Sequence, residues 1–119
     1  MAISKSTEAG GGWTAEAFVF SGRPNPTWIV SADAVKGLMQ LWDLMKPALN
    51  GRPSAATLGY CGCVLREAKN REWLASEGLV NLTGAGEVEW REDRKRDFER
   101  LLLSSAPEGL LPPEILEFR

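Results

Sequence analysis

The chain has 119 residues and a formal net charge of -2, from 14 Lys+Arg against 16 Asp+Glu. With 44% hydrophobic and 25% charged residues it has the composition of one soluble globular domain, not of a disordered chain. Its apolar runs fall short of the roughly 18 residues a membrane span needs, and its balanced charge leaves no basic footprint for nucleic acid.

Taken in chain order, residues 1–12 read as a flexible tail ending in Gly10-Gly11-Gly12. The tail has no apolar core of a secretory signal, so the expected location is the cytoplasm. A single domain is expected over 13–119. Trp13 to Phe20 is rich in aromatic and β-branched residues and reads as a strand. The segment Ser21 to Thr27 is a loop stiffened by Pro24 and Pro26, and Trp28-Ile29-Val30 is a short extended piece.

Ser31 is a candidate N-cap, with Asp33 in the first turn. Val35, Leu38, Met39, Trp42 and Met45 then recur at helical spacing, with Leu41 and Leu44 widening the apolar stripe. Pro47 marks the end region of this helix. A second strand is expected over Leu58 to Glu67. Glu72 to Ala75, Gly78 to Leu82 and Glu87 to Trp90 follow as three short strands with glycine-bearing connections, the pattern of an antiparallel meander.

From Glu89 to Arg100, ten of twelve residues are charged, five of each sign. The pairs Glu92–Arg96 and Lys95–Glu99 fall at i,i+4, which predicts a solvated charged helix over about 92–105. Pro112-Pro113 precede a short helix at 114–118. The expected fold is α+β: a mainly antiparallel sheet of about five strands, two main helices and a short C-terminal helix.

The chain has no histidine, and this excludes most familiar catalytic sets from the chain acting alone. Ser-His-Asp and Cys-His mechanisms lack their imidazole, and so do histidine-based metal sites. The balance leans away from an enzyme.

Two segments stand out as candidate sites. In the first, Arg23-Pro24-Asn25-Pro26 leading to Trp28, the prolines reduce the entropy that binding would cost. Arg23 offers a planar fork of donors to a carboxylate or phosphate. Asn25 adds a donor and an acceptor, and Trp28 a surface for stacking or anchoring. This points to a small binding or accessory protein that engages a protein partner or a small anionic ligand, with no cofactor. The bland alternative is a turn whose Trp28 packs in the core.

The second segment is Cys61-Gly62-Cys63. Strict strand alternation places both sulfurs on one face, and Gly62 permits a local kink. Such a pair suits thiol redox chemistry, or carriage of a soft metal, copper or zinc. The bland alternative is a pair of buried thiols in a central strand.

Overall fold

The computed structural model describes residues 12–20, 24–48, 59–68, 71–84 and 86–111. They form one antiparallel sheet of six strands and two α-helices. The strands are β1 (Thr14–Phe20), β2 (Thr27–Ile29), β3 (Gly59–Arg66), β4 (Glu72–Ser76), β5 (Leu79–Gly84) and β6 (Glu87–Glu92). The helices are α1 (Ala32–Leu44) and α2 (Asp97–Ser104). The spatial order is β2-β1-β3-β4-β5-β6, so β4 to β6 make the meander that the glycine connections predict, and β3 extends it on the β4 side. The extended piece around Trp28 is the sixth strand, paired to β1.

Each element has a local cause. Ser31 caps α1, its hydroxyl accepting from the Ala34 N–H at 3.2 Å. The β4–β5 hairpin turns on Glu77 and Gly78, both with positive φ (53° and 82°), the geometry of a two-residue type I′ turn. After α1 the chain runs beside β6. Ala48 N–H donates to the Trp90 carbonyl at 2.9 Å and Glu92 N–H to the Lys46 carbonyl at 2.8 Å. Half of an otherwise open sheet edge is thereby covered.

The two faces of the sheet differ. The first carries Ala15, Ala17, Cys63, Leu65, Trp73, Ala75, Val80 and Leu82, all buried. They pack against Leu38 and Trp42 of α1 and Phe98, Leu102 and Leu103 of α2. Arg91 joins sheet and helix: its guanidinium lies 4.1 Å from the centre of the Trp42 ring and donates to the Trp42 carbonyl at 2.6 Å. A cation at a helix C-terminus also complements the helix dipole.

On the second face, cross-strand register sets out two rows. One runs Ile29–Thr14–Arg66–Glu72–Thr83–Val88 from edge to edge. The other runs Thr27–Glu16–Val64–Leu74–Asn81–Trp90. Val64 is buried here outside the main core, whereas Ile29 and Val88 are 79% and 74% exposed.

The charged stretch departs from expectation. Residues up to Glu92 continue β6, and α2 begins only at Asp97. Between them Lys95 and Arg96 both take left-handed backbone (φ 57° and 58°). Asp93 then folds back under α2, its Oδ1 accepting from Phe98 N–H at 2.9 Å and Oδ2 from Glu99 N–H at 3.1 Å. Neither Glu92–Arg96 nor Lys95–Glu99 pairs along a helix. The pair formed is Arg96–Glu99 at 3.2 Å, with the Glu99 side chain fully buried. The short helix expected at 114–118 and the tail expected at 1–11 lie outside the described residues. No helix among the described residues is long and apolar enough to cross a membrane.

Candidate binding site

The described part of the loop, residues 24–28, is tied to the sheet by Asn25. Its Oδ1 accepts from the Val19 N–H and its Nδ2 donates to Glu16 Oε2, both at 2.9 Å. The Pro26 carbonyl accepts from Ala17 N–H at 3.0 Å. Three hydrogen bonds thus hold a loop already limited in φ by two prolines. Asn has both a donor and an acceptor on one short side chain, so it can satisfy a backbone N–H and a carboxylate together.

Glu16 passes this connection across the second face. Its Oε1 accepts from Arg66 at 2.8 Å, and Arg66 also reaches Glu72 at 3.1 Å. The hydrogen bond from Arg66, then that from Asn25, holds the Glu16 carboxyl below the ordinary carboxylate range. Arg66 is shifted the opposite way, chiefly by the same bond to Glu16. One chain of polar contacts therefore runs from the loop to the middle of the sheet.

The sequence-derived residues fall as follows. Arg23 lies outside the described residues. Asn25 is half-buried, with its amide engaged in the two bonds above. Trp28 is 6% exposed in the core, and its indole N–H donates to Ser105 Oγ at 2.9 Å, so it anchors the loop to the end of α2 and is not presented to solvent.

Cys61 and Cys63 lie in β3, but the strict alternation does not hold between them. Register jumps from Val19↔Tyr60 to Ala17↔Cys63, so two residues of β3, Cys61 and Gly62, oppose one of β1. This is a β-bulge, with Gly62 at φ +131°. A Cβ on Gly62 would sit 2.8 Å from the Ala75 carbonyl oxygen, which only glycine avoids. The bulge removes the premise that placed the two sulfurs on one face. Cys63 is fully buried, with its thiol 4.0 Å from the Glu99 carbonyl oxygen. Among the described residues no group of three or more His, Cys, Asp or Glu side chains could hold a metal ion.

A second concave site was not anticipated. It encloses about 250 Å³ where the end of α1 meets the Asp93–Asp97 turn. Leu41, Leu44 and Met45 form its apolar lining, and Lys46, Glu92, Arg94 and Asp97 bring charges of both signs to it. Asp93 lines it too, but both carboxylate oxygens are already taken by α2. Burial pushes the Asp93 carboxyl up, against the pull of those two N–H groups. In sequence, Asp93 is one more charge in a run of charges, and nothing marks it as a buried cap.

Comparison of the chain with protein-family models, with curated proteins and with solved structures gave no match. The fold and the geometry of the loop are therefore the whole basis for a functional reading.

Proposed function

We propose that this is a small non-enzymatic binding protein whose recognition element is the loop from Arg23 to Thr27. The observation that supports the reading is the Asn25 clamp, which fixes residues 24–27, the part of the loop next to Arg23, before any ligand arrives. A loop ordered in advance loses little entropy on binding. Arg23 precedes the clamp by two residues and supplies the donors for a carboxylate or phosphate, on a protein partner or a small anionic ligand. In this reading Asn25 and Trp28 position the loop and leave the contact to Arg23. The protein acts in the cytoplasm and uses no cofactor. A thiol-redox, copper or zinc carrier built on Cys61 and Cys63 would need two accessible sulfurs on one face, and the burial of Cys63 favours it less.

The test is recovery of a bound species with tagged wild-type protein, followed by measured affinity. Arg23→Ala should abolish retention, and Asn25→Ala should weaken it roughly tenfold by loosening the loop. Equal retention of that species by wild type, Arg23→Ala and Asn25→Ala would overturn the proposal.

A further inference from the structure

We propose that the outer edge of β2 takes up an extended peptide as an added antiparallel strand. The hydrogen bonds between β1 and β2 show which backbone groups are spare. Ala17 N–H donates to the Pro26 carbonyl and Val30 N–H to the Trp13 carbonyl, both at 3.0 Å. Backbone groups alternate sides along an antiparallel strand, so those of Pro26, Trp28 and Val30 face β1 and those of Thr27 and Ile29 face away from it. β2 ends the sheet, and among the described residues nothing pairs with its outer side. The N–H and carbonyl of Thr27 and of Ile29 therefore point outward, with the Ile29 side chain 79% exposed beside them.

The two edges of the sheet are finished differently. On β6 the Lys46 carbonyl and the Ala48 N–H occupy part of the edge, and Glu87 and Glu89 add charge. β2 carries no charge, and the two residues it presents outward, Thr27 and Ile29, are both β-branched. Proline often blunts an exposed edge, but Pro26 faces β1, so its missing N–H lies on the inner side. The outer row of donors and acceptors is intact from Thr27 to Ile29.

Length and direction select a peptide over a second copy. Three residues at about 3.3 Å each give about 10 Å of edge, far too little for the roughly 1,000 Å² that a specific interface between two folded copies needs. A peptide needs only the width of a strand and runs on past β2 along the loop. Thr27 and Ile29 each exchange a pair of backbone hydrogen bonds with the residue opposite. The residue opposite Ile29 lies beside its exposed side chain, which favours an apolar, β-branched group there. An antiparallel strand carries its C-terminal end past the N-terminal end of β2, toward the loop. Here the inference rests on the reading of Arg23 as the donor to an anion: that end of the peptide brings its free C-terminal carboxylate to Arg23, in line with the backbone. The partner is thus an apolar, extended chain terminus.

The test is NMR titration and amide hydrogen exchange of the full chain with a synthetic peptide of about seven residues, the span from Ile29 back to Arg23. It alternates valine and threonine, begins with an acetylated valine and ends in a free carboxylate. At saturation, exchange at Thr27 and Ile29 should slow at least tenfold, with less change at Trp28, whose N–H already faces β1. Methylating every valine nitrogen removes the donors that face Thr27 and Ile29 and should raise Kd at least tenfold. No binding up to about 1 mM peptide would overturn the proposal. So would binding that leaves exchange at Thr27 and Ile29 unchanged, or that survives methylation. Protection of Thr27 and Ile29 that grows with protein concentration in the absence of peptide would assign the edge to a second copy and overturn it too. The peptide's C-terminal amide separates the edge from Arg23. If acid and amide bind wild type and Arg23→Ala equally, with Thr27 and Ile29 protected, the added strand stands and the role of Arg23 fails. If wild type holds the methylated acid and Arg23→Ala does not, the role of Arg23 stands and the added strand fails.

Discussion

At the scale of single residues, Asn25 and Gly62 carry consequences out of proportion to their size. Asn25→Ala removes a donor to Glu16, whose folded pKa is held low. A carboxylate with a depressed pKa contributes stability that is present above its unfolded value, here 4.5, and is lost as pH falls through the folded value. Asn25→Ala should therefore be less stable than wild type at neutral pH, and the part of the loss carried by Glu16 should fade below pH 4.5. Denaturant titrations at a series of pH values will show whether the gap narrows. Gly62→Ala forces a Cβ to 2.8 Å from a backbone oxygen at a backbone angle that L residues rarely adopt. A cost of about 2–3 kcal/mol is expected, read as a fall in Tm. A β3 that absorbed the methyl without loss would mean the bulge is not rigid.

At the scale of elements, α2 depends on a residue outside it. Asp93 accepts from the N–H groups of Phe98 and Glu99, and its own N–H donates to the Gly78 carbonyl at 2.8 Å. It therefore links the β4–β5 turn to the start of the helix. Asp93→Ala leaves two buried N–H groups without acceptors and should cost about 2 kcal/mol. The titration of Asp93 has the opposite sign to that of Glu16. Its folded pKa is raised above 3.8, so the stability it contributes is full below 3.8 and is lost as pH rises through the folded value. Removing Asp93 should therefore remove a decline in stability on the alkaline side of pH 3.8, which the same pH series detects.

At the scale of the whole molecule, strand identity was legible because glycine or proline marks four of the seven connections, including both hairpin turns of β4 to β6. The expected strands at 13–20, 58–67 and 72–75 differ from β1, β3 and β4 by one residue at most at either end. Three features were not legible. The bulge is invisible to a strict period of two, since Cys61-Gly62-Cys63 reads as alternation whether or not an extra residue is inserted. The charged run matched a helix by pair spacing, yet Glu92 is held in β6 by its bond to Lys46, and the left-handed pair Lys95–Arg96 is tolerated because Asp93 fixes both sides of it. In the loop, the direction of the groups was not legible: Asn25 turns inward to Glu16 and Trp28 to Ser105. The topology also ranks the strands. β3 and β4 have neighbours on both sides and lie under α2, whereas β2 pairs on one side only. Hydrogen exchange should be slowest in β3 and β4 and fast in β2. Uniform protection across the sheet would contradict this order.

Trp13 and Trp73 stack with ring centres 5.5 Å apart and planes inclined by 27°. Trp13 stands at the entry to β1 and Trp73 in β4, so the stack spans β3. Two indoles this close do not absorb as independent chromophores. Their transition dipoles mix, and the fixed inclination between them makes the mixed pair optically active. The protein thus carries its own spectroscopic gauge of sheet assembly, an exciton couplet in the far ultraviolet that arises only once the start of β1 has found its place. Trp13→Phe should erase that couplet while leaving the backbone signal intact, and the couplet in wild type should vanish in the same denaturant range as the fold.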